Sequence, residues 1–174
     1  MISLGTRRWE VPEAALSISL EEMRLQGLKG NEGTALWLGR QRDQDLALVT
    51  HVVCLRGAGV TTAHSLIHVE AGLINMVADV ALALGAYIVG QIHSHGHGWG
   101  VGLSLTDREL GVRAPWFLSV VAPDYGLRPT LGLRECGVHV CLPGGHFVRL
   151  SPAAVRQRVA VTTAAVERIK VGNE

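Results

Sequence analysis

Residues 64–84 (HSLIHVEAGLINMVADVALAL) set Leu66, Val69, Leu73, Val77, Val80 and Leu84 three and four positions apart, the repeat of one helical face. Gly85 interrupts that repeat, as a glycine closing a helix does. The next ten residues, AYIVGQIHSH, carry no formal charge and are rich in Ile and Val, the pattern of a strand buried on both faces. A helix with one apolar face leading directly into such a strand requires layers, with helices packed on a sheet.

The rest of the chain fits that plan. Residues 12–28 begin with Pro12, suited to a first helical turn, and carry Leu16, Leu20 and Met23 on an approximate stripe. TALWLG, QRDQD and LALVTHVVCL read as strand, turn and strand, with Glu32 at the mouth of the first strand and a loop at 57–62. SLTDRELG resembles a helix start, WFLSVVA a strand, and GVHVCLPGGHFVRL a hairpin turning on Gly144 and Gly145. Val155, Val159, Thr162, Val166 and Ile169 predict a C-terminal helix over about 152–170, covering the sheet and carrying Arg156, Arg158, Arg168 and Lys170 elsewhere. The fold class expected is α+β: one domain over 1–174, a mixed sheet flanked by α-helices.

Composition narrows the function. At 174 residues and 48% hydrophobic, the chain can build one globular core. A net charge of +1 offers no surplus for phosphate binding, and 5% aromatic content argues against a base-stacking platform, so no nucleic-acid partner is expected. No apolar run reaches the roughly 18–20 residues of a membrane span, and MISLGTRRWEVPE lacks the apolar stretch of a secretory signal. Cys54, Cys136 and Cys141 match no paired framework and are expected to pack as small hydrophobes in a reducing, cytoplasmic setting.

Chemistry concentrates in residues 93–107, HSHGHGWGVGLSLTD. His93 and His95 alternate at the end of a strand, so both imidazoles face one side and make half of a tetrahedral zinc site. Asp107, beyond a loop with Gly96, Gly98, Gly100 and Gly102, is the candidate oxygen ligand. Alternatives stand beside this reading. His93 and His97 have the spacing of a helical metal pair, His64 and His68 lie four apart on the expected helix, and Glu70 is a reserve base. Ser104-x-x-Asp107 is also a helix capping box. Trp99 can cover substrate or anchor its loop, and His139 and His146, flanking the late hairpin, are expected at the surface.

The combination of Glu32, His93-Ser94-His95 and Ser104-Leu105-Thr106-Asp107 resembles the JAMM (MPN, JAB) zinc metallopeptidases, whose signature is an upstream glutamate, His-x-His, about seven residues, and Ser-x-x-Asp. NEGTALWLG is similar to the segment around that glutamate, and the resemblance spans roughly residues 12–150. Two positions depart from it: Gly96 stands where proline is usual, and eight residues separate His95 from Ser104, one more than the commonest spacing. The resemblance implies a three-helix MPN/JAB-like (cytidine-deaminase-like) fold. It also implies one Zn2+ per chain on His93, His95 and Asp107, with Glu32 as general acid–base and Ser104 as donor to the oxyanion. The implied activity is hydrolysis of the amide bond after the C-terminal tail of a ubiquitin-like protein, by deconjugation or precursor maturation, beside ubiquitin-like activating and conjugating enzymes. Release of cysteine from a sulfur-carrier protein and a non-catalytic scaffold are its alternatives. Arginine outnumbers lysine fourteen to two, which suggests a GC-rich bacterial coding sequence.

Overall fold

A computed structural model describes residues 7–128 and 131–173. In chain order the elements are β1 (Arg8–Pro12), α1 (Glu13–Gly27), β2 (Thr34–Asp43), β3 (Leu46–Leu55), β4 (Val60–Ala63), β5 (Leu66–Val69), α2 (Ala71–Ala83), β6 (Tyr87–Ser94), α3 (Leu105–Leu110), β7 (Leu118–Ala122), β8 (Gly137–Leu142), β9 (His146–Arg149), α4 (Pro152–Arg158), β10 (Val159–Thr162) and β11 (Glu167–Val171). The described residues form a mixed α+β arrangement with four helices. The sheet runs β10-β1-β3-β2-β6-β7-β8-β9, with β11 also paired to β3, and β4-β5 form a separate hairpin.

Strand β2 shows how the layers arise. Ala35 and Trp37 point into one core with Trp9, Met23, Ile92 and Leu118, whereas Leu36 and Leu38 point into another with Leu73, Val77 and Ala81 of α2. Alternate side chains of one strand therefore hold α1 on one face and α2 on the other. The polar atoms of that buried joint are satisfied: Trp37 Nε1 donates to Ser19 Oγ at 2.9 Å, and Ser19 Oγ donates to the Ala15 carbonyl at 2.7 Å. Strand β6 lies between antiparallel β2 and parallel β7, so its C-terminal end, carrying the two histidines, opens where strand direction changes.

Four expectations need correction. The helix expected from residue 64 begins at Ala71; before it, β5 pairs with β4 across His64 and Ser65, so part of the loop expected at 57–62 is strand. Leu66 and Val69 satisfy a three-residue repeat by coincidence, while Ile67 and Val69 share the inward side of a period-two strand. His64 and His68 consequently do not stand one turn apart on a helix, and Glu70 is the N-cap of α2. The C-terminal helix ends at Arg158 instead of about 170. Val159–Thr162 pairs in parallel with β1, and Glu167–Val171 with β3. These segments are β-branched, and each meets an open sheet edge, which outweighs an approximate helical stripe. Strand β1, with Trp9 and Val11 buried, was not legible in its five residues.

The fourth correction concerns His139. It is not at the surface but buried at 2% exposure on β8, opposite Ser119 of β7; His146 is exposed. Burial, reinforced by the charge of Arg149, pushes the His139 imidazole down to about 4. Free histidine titrates near 6.5, so between these values the unfolded chain binds the extra proton. The stabilisation from a neutral His139 is complete above about pH 6.5 and is lost as pH falls toward 4. We expect His139→Leu to lose about 2 kcal/mol less stability than wild type between about pH 7 and pH 4.5, read from urea denaturation across that range. Parallel acid limbs in the two proteins would remove His139 from the explanation.

Candidate metal centre

The antiparallel register of β2 and β6 places the upstream acid beside the histidines. Thr34 lies opposite His93, and one residue further the chains are still joined, with Ser94 N–H donating to the Gly33 carbonyl at 2.9 Å and Gly33 N–H to Ser94 Oγ at 2.9 Å. Continuing that register carries Glu32 to the level of His95. The Glu32 backbone is fixed from the other side by its N–H bond to the Ala63 carbonyl of β4, 2.8 Å. His95, just past the end of β6, is held by its N–H to the Ala122 carbonyl at 2.9 Å and by its carbonyl, which accepts from Tyr125 N–H at 2.7 Å.

Three side chains converge. His93 Nε2 and His95 Nε2 are 3.3 Å apart; Asp107 Oδ1 lies 3.5 Å from His93 Nε2 and Oδ2 3.2 Å from His95 Nε2. One ligand atom from each of the three falls within 4.8 Å of the others. Both histidines are buried and Asp107 is largely so. Two imidazole nitrogens and a carboxylate oxygen facing one point suit a tetrahedral divalent cation with one position open to solvent or substrate. His95 Nδ1 sits 2.8 Å from the Gly100 carbonyl, which makes Nδ1 the protonated nitrogen and leaves the Nε2 lone pair facing the cluster. That carbonyl was not legible in the sequence; it reaches His95 because the loop turns at Gly96–Trp99, with Trp99 N–H on the Gly96 carbonyl and Gly98 at φ +77°.

Asp107 was expected to be unable to serve fully as both helix cap and candidate ligand; in the structure it completes the cap and still faces the two histidines. Its Oδ2 accepts from Ser104 N–H at 2.7 Å, and its own N–H donates to Ser104 Oγ at 3.1 Å, completing the capping box of α3. The same carboxylate still presents Oδ1 and Oδ2 to the histidines. Burial works to raise its pKa, but hydrogen bonds to His93 and His95, the charge of His93, and the bond to the Ser104 side chain prevail and hold it well below the usual carboxylate range. Burial also works to lower His95, yet Asp107, the Gly100 carbonyl and Glu32 raise it overall.

Glu32 lies just outside this trio and is buried at 6% exposure. Its pKa is raised to about 7, first by burial and also by the negative charge of Asp107, while His95 and the Gly96 N–H, which the carboxylate accepts, pull it down. The other sequence candidates are elsewhere. His97 is exposed and pairs through Nδ1 with Asp124 Oδ1 at 3.1 Å. His64 Nδ1 lies 2.6 Å from the Tyr125 hydroxyl. Trp99 is exposed. Beside the trio is a small cleft of about 150 Å3, lined by His93 and Asp107 and by apolar side chains including Leu36, Ile67, Val69, Ile74 and Leu110. A helix long and apolar enough to cross a membrane is absent among the described residues.

The chain matches no protein-family model and no curated protein sequence. Its fold is shared with solved structures. A protein of Desulfitobacterium hafniense, known from a solution structure, superposes with a TM-score of 0.65 at 14% identity, over 90% of this chain and 94% of that one. A protein of Salinibacter ruber, also a solution structure, gives 0.55 at 18% identity, over 88% and 90%. At such identities the likeness concerns the fold alone.

Gly96, where the motif usually carries proline, has two structural reasons to be glycine here. A Cβ would lie 2.6 Å from the Tyr125 hydroxyl, and proline would in addition remove the N–H that Glu32 accepts. We expect Gly96→Ala to cost roughly 1–3 kcal/mol, and Gly96→Pro to cost more, in chemical denaturation. A Gly96→Pro protein as stable as wild type would show that neither contact constrains this position.

Proposed function

We propose that this protein is a JAMM-type zinc metallopeptidase, an isopeptidase that hydrolyses the amide bond following the C-terminal tail of a ubiquitin-like protein. The observation that carries this reading is the meeting of His93, His95 and Asp107 with a buried acid, Glu32, whose pKa is lifted to about 7. The order Glu, His-x-His, Ser-x-x-Asp supports it as well. So does the mixed sheet with helices on both faces, which an MPN/JAB-like fold requires. The small apolar cleft next to His93 and Asp107 offers room for a side chain flanking the scissile bond.

Zinc held by His93, His95 and Asp107 would bring a bound water toward a pKa of roughly 7 and polarise the substrate carbonyl, and its charge would favour the carboxylate form of Glu32. Glu32 then accepts a proton from the attacking water and returns it to the leaving nitrogen: a C–O bond forms, the C–N bond breaks, and the products are a carboxylate and an amine. Burial, which favours the neutral form of Glu32, and the cation's charge, which would favour its carboxylate, oppose each other, so the same acid can take up and release the proton. The Gly96 N–H aims the carboxylate, and the Gly100 carbonyl, by holding His95 Nδ1, keeps Nε2 turned toward His93 and Asp107, where it would hold the ion. Ser104 Oγ accepts from Asp107 N–H, and its hydroxyl proton, which in the resting site bonds to the Asp107 carboxylate, would turn to the developing oxyanion.

The test is a cleavage assay on ubiquitin-like precursors and conjugates, with zinc content measured on the same preparations. We expect chelator-sensitive cleavage by wild type. Glu32→Gln should retain stoichiometric zinc and lose about 10²–10⁴-fold in rate, and Asp107→Ala should lose the metal. Wild-type turnover by Glu32→Gln would remove that residue as the base. Cleavage confined to sulfur-carrier proteins ending in cysteine would move the substrate to that class, and a metal-free wild-type protein without activity would indicate a scaffold.

A further inference from the structure

Glu32 is held at two points, and each holding residue is a chain neighbour of one that Tyr125 touches. The Glu32 backbone N–H donates to the Ala63 carbonyl at 2.8 Å, and the Glu32 carboxylate accepts from Gly96 N–H. His64 follows Ala63 and meets the Tyr125 hydroxyl, which lies 2.6 Å from His64 Nδ1 and donates to the His64 carbonyl at 3.2 Å. His95 precedes Gly96 and presents its carbonyl to Tyr125 N–H at 2.7 Å. Glu32, Ala63–His64, Tyr125 and His95–Gly96 thus close a ring of contacts.

On one side of that ring the coupling runs through a single peptide. The His95 C=O and the Gly96 N–H belong to the same planar trans unit, so they point in opposite directions. Fixing the oxygen with Tyr125 N–H therefore fixes the line along which Gly96 N–H reaches Glu32, and bonding at the oxygen strengthens the donor at the nitrogen. The turn that makes this contact is strained. Asp124 and Tyr125 adopt φ of +53° and +57°, left-handed values that bulky residues rarely take. Asp124 is tied there by its carboxylate, which bonds to His97 Nδ1 at 3.1 Å and to Arg128 Nε at 2.6 Å. Glycine would take the Tyr125 conformation without strain, so what tyrosine contributes lies in its buried ring and its hydroxyl. Strain of this kind persists where surrounding contacts over-determine it, and it gathers at functional sites. Here those contacts lead to Glu32 from both ends.

We propose that Tyr125 is a positioning residue for Glu32: its hydroxyl fixes the β4-β5 turn that holds the Glu32 backbone, and its N–H fixes the peptide that holds the Glu32 carboxylate. The benefit to turnover rests on the reading of Glu32 as general base; the positioning itself does not.

Tyr125→Phe keeps the ring and the backbone N–H and removes only the hydroxyl. Amide hydrogen exchange, followed by NMR on the isotope-labelled full chain, reads the positioning without any turnover. We expect the Glu32 and Gly96 amides to exchange about fivefold faster in this variant, while amides within β2 and β6 keep wild-type rates. His64→Ala should accelerate the same two amides, and the double variant should exchange no faster than Tyr125→Phe alone. In the cleavage assay Tyr125→Phe should keep the zinc content and KM of wild type and lose kcat by about fivefold to tenfold. Wild-type exchange at both amides in Tyr125→Phe overturns the proposal. So does acceleration spread evenly over β2 and β6, additivity in the double variant, or an active Tyr125→Phe enzyme with wild-type kcat. A wild-type protein that cleaves no ubiquitin-like substrate defeats the peptidase reading instead, and the exchange rates still decide whether Tyr125 positions Glu32.

Discussion

The carboxylate of Asp107 joins α3, the glycine loop and β6 into one centre. Its Oδ2 caps the helix through Ser104 N–H and also faces His95, while its Oδ1 faces His93. A short helix of six residues has little stability of its own, so its orientation depends on this cap and on the burial of Leu103 beside it. Fixing the cap therefore fixes the third donor against the two imidazoles. Because the carboxylate stays ionised despite burial, it sets a negative charge beside the two Nε2 atoms, and a divalent cation could replace the protons that they now share with it.

The sheet supplies the remaining precision. Strand β6 receives β2 on one edge and β7 on the other, and register with β2 carries Glu32 to the level of His95. Glu32 is secured at its backbone by Ala63 of the β4-β5 hairpin and at its side chain by Gly96, so the acid sits at a junction of three segments rather than on a mobile loop. The hairpin is tied in turn to the histidine strand through the contact between His64 and the Tyr125 hydroxyl, and Tyr125 holds the His95 carbonyl. Tyr125 adopts φ +57°, a left-handed backbone for a bulky residue, which places its ring against Gly96. Burial here serves two ends: it raises the pKa of Glu32, and it lets fixed hydrogen bonds set the protonation of His95.

Much of this centre was legible because its residues carry a local period or a known spacing. His93 and His95 alternate on a strand whose apolar run is unmistakable, and Ser104 and Asp107 stand at cap spacing before a helical segment. Glu32 was legible only through the motif, since nothing in its immediate sequence distinguishes it from a solvated turn residue. What sequence could not supply were contacts made by backbone or by distant chain, such as the Gly100 carbonyl on His95 and the Tyr125 hydroxyl behind Gly96. The errors in fold have one origin. Leu66–Val69, Val159–Thr162 and Glu167–Val171 are four- and five-residue segments in which a helical and an alternating repeat fit equally well, and the open edges of β4, β1 and β3 decide between them. His139 was misplaced because its surroundings on β8 come from β7, a strand some twenty residues away in the chain.

Zinc-edge X-ray absorption on the metal-loaded full chain probes the centre most directly. The expected spectrum contains two imidazole nitrogens and at least one oxygen at roughly 2.0–2.2 Å, with the imidazole scattering reduced in His93→Ala. Sulfur scattering near ~2.3 Å, which would implicate Cys54, Cys136 or Cys141, or a spectrum that the His93 substitution leaves unchanged, would contradict a site built on His93, His95 and Asp107.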